Sequence, residues 1–502
     1  MTARQHFRNA LWLTSSGAIA KILLLVASVL TYKHLSVLEN GILGFALAYG
    51  SICALFMEAG LRGYTMRELS RMREHHDSAA RLFTLTLNTR AAVLLLTGPV
   101  ALVIVWMLGY RGPVLAFVVA MIGYGLLDSL GMYFKAVLRC YDRMAYDAVF
   151  SISAKLLLLL VLAGAVYTRH LTLPIVSVAY VGSAALEVGS LALVVGKSLR
   201  LPFLAACTPR AMYQLLRTSL PFASIIMIAM LYLRTGVFTL SALPWLQPIF
   251  SHFELLAEQA PKISSIVAIA FFTTAARLPE ALSFLPLGVV NAMIPHLSRS
   301  KGQTAAVQTI FTILIKYLGI AGFMLGAWLA TQPASFLLLV SKHEYLPATA
   351  AFSWLAIALP FSFLRYTTSN LLICLDQERV LIRREVIALI LNLVLNIALV
   401  PNWTFLGAAV ALAISEAVSF FLELAILKTR CGVQLPARLW LLWAGAAAAV
   451  AVPSMLVGGL APLPSLVPGA IAAILCLAVI VLSNPGEVRA LMRRQVAEIA
   501  EG

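Results

Sequence analysis

Residues 83–109 read FTLTLNTRAAVLLLTGPVALVIVWMLG, with a single charge, Arg90. As a helix, about twenty such residues cross roughly 30 Å of hydrocarbon while each backbone amide is satisfied within its own segment. Comparable stretches lie near 11–32, 40–61, 113–134, 146–168, 172–196, 214–241, 265–295, 309–331, 347–373, 381–400, 404–427, 439–460 and 465–483, giving about fourteen expected spans. The expected fold class is therefore all-α and integral to a membrane. No soluble domain fits between the spans, because the longest gaps, 62–82, 197–213 and 242–264, hold only about twenty residues each. The first apolar stretch is a full span without a small-x-small cleavage site, so it is expected to stay as an anchor.

Composition agrees. Apolar residues make up 61% of the chain and charged residues 12%, with a mean hydropathy of +0.93. A water-soluble domain carries about a quarter charged residues, so this chain needs a lipid solvent. The net charge of +16 has a topological cause rather than a nucleic-acid one. With the N-terminus inside, the cytoplasmic segments and the span ends that adjoin them hold 25 Lys and Arg, and the opposite loops hold 5. That asymmetry is the positive-inside pattern; it implies an even number of spans and two cytoplasmic termini.

Six cysteines, Cys53, Cys140, Cys207, Cys374, Cys431 and Cys476, show no CxxC spacing and read as free thiols. The histidines show no metal-ligand spacing, and no nucleophile–base constellation is present. The "VGKS" at Val195–Ser198 lacks the upstream glycine of a phosphate-binding loop, since that position is Leu191. No cofactor, nucleotide or enzymatic activity is expected.

Two echoes point to an internal duplication. Leu69-Ser70-Arg71 recurs as Leu297-Ser298-Arg299 at an offset of 228, and Cys140-Tyr141-Asp142 recurs as Cys374-Leu375-Asp376 at an offset of 234. Both fall six spans apart at the same edge. Two six-helix lobes are expected, related by a pseudo-twofold along the membrane normal, with a substrate between them near the midplane. The expected organisation is an N-lobe at 1–200, a C-lobe at 201–430, and two peripheral helices with a basic tail at 431–502.

The bases expected inside the membrane are Lys21, Arg90, Lys155, Arg234, Arg277, Lys316 and Arg365; the acids are Glu58, Asp128, Glu187, Glu280, Glu416 and Glu423. Each charge at that depth costs at least about 2.5–3.5 kcal/mol unless it is paired, hydrated or snorkelling. So many charges imply an aqueous interior and a transport path. Lys21 and Arg277 lie deep in their spans, whereas Arg90 and Lys316 sit near enough to a cytoplasmic end to snorkel. Glu58, Asp128 and Glu187 are the ion-coupling candidates, with protons or sodium as the expected ion. Glu280 is expected to pair with Arg277 one helical turn away, and Glu423 to be solvated. Pro221, Pro279, Pro286 and Pro295 are expected kink sites. Residues 244–264 read as a short amphipathic helix on the outer face.

Three stretches carry a family resemblance: FMEAGLRGYTMRELSR at 56–71, AFFTTAARLPEALSFLPLGVVNAMIPHLSR at 270–299 and NLVLNIALVPNWTFLGAAVA at 392–411. The chain resembles the Wzx-type polysaccharide flippases of the multidrug/oligosaccharidyl-lipid/polysaccharide (MOP) exporter superfamily. The resemblance implies a two-lobed transporter with a cationic central cavity and alternating access. Its cargo would be an undecaprenyl-pyrophosphate-linked oligosaccharide, and its membrane the bacterial inner membrane. It also implies membrane lipids and other glycan-assembly proteins as partners. On that reading Lys21 and Arg277 line the cavity, with Lys155 and Arg234 next as substrate contacts, because pyrophosphate takes cationic donors. One departure stands out: relatives often carry an acid two positions after the base of span seven, whereas Arg234 is followed by Thr235 and Gly236.

The rivals are a lipid II flippase and a cation-coupled multidrug exporter of the same superfamily. Lys21 stands where the drug exporters place an acid, which favours an anionic ligand. A major-facilitator sugar porter would show an Asp-Arg-x-Gly-Arg pattern after span two, and a membrane glycosyltransferase a sizeable soluble loop; neither is present.

Overall fold

A computed structural model describes residues 3–72, 75–203, 207–244, 264–283, 285–299, 303–456 and 462–483. Among these residues the regular structure is helical throughout. The helices are α1 (Ala3–His34), α2 (Val37–Glu58), α3 (Leu61–Arg71), α4 (His76–Met107), α5 (Gly112–Cys140), α6 (Met144–Tyr167), α7 (Leu173–Leu199) and α8 (Pro209–Ser241). There follow α9 (Ser265–Leu282), α10 (Leu285–Arg299), α11 (Thr304–Thr331), α12 (Pro333–Val340), a 3-10 turn (His343–Ala348), α13 (Thr349–Cys374), α14 (Glu378–Cys431), α15 (Arg438–Leu456) and α16 (Pro462–Ser483).

Eleven described helical stretches are long and apolar enough to cross a membrane, and two shorter apolar ones lie at Met227–Ser241 and Pro464–Cys476. The protein is a multi-pass membrane protein. Its outward surface fits that solvent: on α4, Leu95 is 77% exposed and Leu96 75%, with Val100, Val103, Trp106 and Met107 beside them. The expected amphipathic segment at 244–264 lies almost entirely outside the described residues.

One stretch, α14, holds two of the expected spans. Thr404 sits at φ 48° and ψ −124°, outside helical space, directly after Pro401-Asn402-Trp403. The two arms fold back on each other. A Cβ at Gly407 would lie 2.5 Å from the carbonyl oxygen of Leu399, a contact impossible along a straight helix. Proline has opposite effects elsewhere. α8 runs unbroken through Pro221 and α9 through Pro279, whereas Pro286 lies in the first turn of α10, where a missing amide hydrogen costs nothing.

The chain divides into two compact units, Gln5–Arg234 and Thr235–Gly502, the boundary falling inside α8. In the first unit α5 is central, packing on α2 and α7. Gly50 of α2 and Gly125 of α5 make the crossing, and a Cβ on Gly125 would lie 2.5 Å from the Gly50 carbonyl oxygen. Small residues at such crossings let helix backbones approach where lipid offers no hydrophobic drive. Gly125→Ala is expected to cost about 1–3 kcal/mol by overpacking against backbone that cannot yield. A lowered melting temperature of the detergent-purified protein checks this; an unchanged one removes the crossing from the stability argument.

In the second unit α11 and α13 form the core with α14, and α15 joins them through one face. Trp443 is fully buried on that face, its ring against Gly319 and stacked on Phe323 at 5.5 Å, while Leu441 on the opposite face is 79% exposed. This one-sided burial is that of a peripheral helix.

The duplicated sequence is also a duplicated turn. Asp142 has φ 58° and Asp376 φ 56°, left-handed values that aspartate tolerates better than most residues. Around them the hydrogen bonds repeat: Asp142 N to Arg139 O at 3.1 Å and Arg143 N to Leu138 O at 2.9 Å, against Asp376 N to Ile373 O at 3.1 Å and Gln377 N to Leu372 O at 2.9 Å. The same turn thus ends α5 and α13.

Candidate functional site

Each unit buries its own array of charges, on α5, α6 and α7 in the first and on α13 and the two arms of α14 in the second. In the first unit α6 presents Asp147, Ser151 and Lys155 at four-residue steps, hence on one face. Opposite them stand Asp128, Lys135 and Arg139 of α5 and Glu187 of α7. Lys155 Nζ lies 3.6 Å from Asp128 Oδ1 and 3.7 Å from Glu187 Oε2, and Lys135 pairs with Glu187. Arg139 closes on Asp147 at 2.7 and 2.9 Å. Ser151 Oγ is 3.2 Å from both Asp147 and Glu187 and donates to one of them. Lys155 also faces the Tyr124 ring at 5.8 Å. Three bases meet three acids, so this array is neutral, and Asp128, its side chain 41% exposed, is its open end.

The structure therefore brings together three residues singled out from the sequence, Lys155, Asp128 and Glu187, and engages the lysine with the two acids. Glu58 lies apart, at the end of α2, 2.9 Å from Arg62. Arg90 does not snorkel. It is 2% exposed, donates to Ser129 Oγ at 2.8 Å and stands over the Tyr133 ring at 5.0 Å. Interior acceptors hold the guanidinium where the sequence suggested only a route to the surface. Lys316 stands over the neighbouring Tyr317 ring at 5.2 Å.

In the second unit Arg365 of α13 grips Glu416 of α14 with a fork, Nε to Oε2 at 3.0 Å and Nη2 to Oε1 at 3.2 Å, while Ser362 donates to the same carboxylate at 3.0 Å. Its Nη1 reaches Glu385 Oε1 at 3.5 Å. Arg384 lies 3.1 Å from Glu385 Oε2 and pairs with Glu423, which also accepts from Thr368 and from Ser369 at 2.6 Å. The expectation that Glu423 is solvated fails: it is 0% exposed, and donors from two helices replace its water. Lys135, Arg384 and Glu385 each stand close to a span end, where the sequence alone does not mark them as interior charges. A smaller amide network adds Thr239 Oγ1 to Asn396 Oδ1 at 3.0 Å and Asn396 Nδ2 to Asn392 Oδ1 at 2.5 Å.

Lys21 on α1 is exposed, and Arg234 on α8 and Arg277 on α9 are half-buried. Glu280, also on α9, is exposed. At the position where relatives often carry the acid, a Cβ on Gly236 would lie 3.0 Å from the Phe272 ring and 3.4 Å from Ala408 Cβ, so a larger side chain would require that ring to shift. The six cysteines are free and half-buried, and no group of three or more His, Cys, Asp or Glu among the described residues is placed to hold a metal ion.

Solved structures share this fold. A lipid II flippase, MurJ, in an inward closed conformation aligns over 94% of this chain and 98% of its own, at 12% identity and a TM-score of 0.73. An inward-facing multidrug resistance transporter (MATE) of the MOP superfamily aligns over 86% and 98%, at 14% identity and 0.66. A MOP transporter from Pyrococcus furiosus, described as having a binding pocket of reverse polarity, aligns over 86% and 96%, at 13% identity and 0.54. No curated protein matches the sequence. The fold is thus that of the MOP exporters, which are membrane flippases and transporters rather than enzymes. A family model described as "Polysaccharide biosynthesis protein" matches residues 6–301, and the chain belongs to that family.

Proposed function

We propose that this protein flips an oligosaccharide linked to undecaprenyl pyrophosphate from the cytoplasmic to the outer leaflet of the bacterial inner membrane, by alternating access and with both termini cytoplasmic. The observation that carries the reading is the family match across residues 6–301. The bases singled out as substrate contacts, Lys21, Lys155, Arg234 and Arg277, are of the kind a pyrophosphate needs, since it takes charge-assisted hydrogen bonds from ammonium and guanidinium groups. The excess of Lys and Arg in the segments on one side of the spans supports the assigned orientation.

The test is translocation in proteoliposomes. Fluorescent undecaprenyl-pyrophosphate oligosaccharide, lipid II and an organic cation are offered separately to the purified protein. Movement of the oligosaccharide lipid is the expected result. Movement of lipid II alone would assign the protein to peptidoglycan synthesis, and extrusion of the cation alone would make it a drug exporter.

A further inference from the structure

The first arm of α14 keeps two faces apart. Arg384, Glu385, Ala388 and Asn392 are buried, at one- to four-residue steps that keep them on one side. Arg379, Arg383, Ile387, Ile390 and Val394 are exposed on the other side, within about 80° of one another at 3.6 residues per turn. The apolar part of this stripe meets lipid: Ile387 and Ile390 are each 54% exposed and Val394 57%. Helical rise places Arg383 about 16 Å from Val394, the depth of one leaflet, and about 30 Å from the exposed Trp403, the full hydrocarbon thickness. Arg383 therefore stands at one membrane surface and Trp403 at the other, where an indole is favoured.

The protein supplies no partner for the two arginines. Among the described residues neither side chain makes a hydrogen bond or an ion pair, and the pairs of this arm, those of Arg384 and Glu385, lie on the buried face. Of the nearby acids, Asp376 lies in the turn before the helix, and Glu378 is turned about 100° round the helix from Arg379. The helix dipole does not account for the arginines either. The first turn of a helix favours anions and opposes cations, and Arg379 is in that turn with Arg383 in the next. The same field adds to the pull of both guanidinium groups on an anion.

We propose that this stripe binds an anionic phospholipid of the phosphatidylglycerol type, with the phosphate held by Arg379 and Arg383 and an acyl chain laid along Ile387, Ile390 and Val394. The two arginines lie about 6 Å apart along the axis, and each can take phosphate oxygens with a two-pronged fork. A zwitterionic headgroup brings its own ammonium, which two arginines repel; a glycerol headgroup brings none. The one-leaflet length of the stripe fits a glycerophospholipid acyl chain, whereas an undecaprenyl chain would overrun it. A bound headgroup holds at the membrane surface the turn whose inner side carries Arg384 and Glu385. Only the naming of the leaflet as cytoplasmic rests on the orientation proposed above.

Photocrosslinking tests it on the full-length protein in vesicles of equal parts phosphatidylglycerol and phosphatidylcholine. The probe is Ile390→benzoylphenylalanine, and mass spectrometry identifies the lipid attached. Each base near the surface favours an anionic lipid about five-fold, so phosphatidylglycerol is expected in roughly twenty-five-fold excess. Arg379→Gln or Arg383→Gln is expected to lower that excess about five-fold, and the two together to bring it to parity. Arg383→Lys, which keeps the charge, is expected to retain most of it. Arg430→Gln, an exposed base at the end of the other arm, is expected to leave it unchanged, and a probe at the exposed Leu160 of α6 to show near parity. Parity at Ile390 in the otherwise unaltered protein, or an excess that survives the double variant, would overturn the proposal. So would an equal loss in Arg430→Gln or an equal excess at Leu160, since either means a diffuse attraction. Attachment abolished by soluble glycerol phosphate would assign the arginines to free phosphate, and preferred attachment of added undecaprenyl phosphate would give the stripe to that lipid; each sinks the phospholipid site. Flipping is not part of the readout, so failure of the flippase reading would leave this result standing.

Discussion

Arg384→Ala is expected to destabilise the second unit by about 3–5 kcal/mol, the range for removing one partner of a buried ion pair. The substitution leaves Glu423 at 0% exposure with two hydroxyl donors and no cation. It also strips Glu385 of its 3.1 Å partner. The measurement is the melting temperature and the monodisperse fraction in detergent. Replacing both members together, Arg384→Met with Glu423→Leu, is expected to recover much of the loss, since apolar side chains of similar volume satisfy a site that a lone carboxylate cannot. A single variant as stable as the wild type would mean that water reaches the array.

Lys21→Ala and Arg277→Ala are expected to cut flipping of the pyrophosphate-linked saccharide by roughly ten- to a hundred-fold each. A hydrogen bond between charged partners is worth about 1.5–3 kcal/mol, and about 1.4 kcal/mol is tenfold. Arg277→Lys is expected to restore part of the rate, because lysine keeps the charge and loses the two-pronged geometry. Normal flipping by both alanine variants, folded and inserted, would move these residues out of the substrate path. Loss of folding instead would make them structural.

The class of fold was legible in the sequence because lipid imposes one rule on every segment, and apolar length alone satisfies it. The hairpin in α14 was legible as well, since Pro401-Asn402-Trp403 interrupts an otherwise continuous apolar run. The repeated turn could be read from Cys140-Tyr141-Asp142 and Cys374-Leu375-Asp376 because an aspartate in left-handed backbone is a local signal. The charge arrays were only half legible. Lys155, Asp128 and Glu187 stood out as charges within apolar runs, but their convergence depends on helix rotation, which one chain's hydropathy does not encode. Arg384 and Glu385 lie close enough to the start of their span to pass for loop charges, and only their burial distinguishes them. Glu423 posed the same difficulty from the other arm, as its hydroxyl partners Thr368 and Ser369 belong to a different helix.

The hairpin of α14 also bears on how the chain is made. Arg384 lies on the arm that emerges first from the ribosome, and Glu423 on the arm that emerges about forty residues later. Released into lipid alone, the first arm would carry a guanidinium at an insertion cost of about 2.5–3.5 kcal/mol. With both arms present that charge is matched, and the tight turn at Thr404 sets them side by side at once. Insertion of the two arms together is therefore expected to be favoured over insertion of the first arm alone, which Glu385 beside Arg384 only partly compensates.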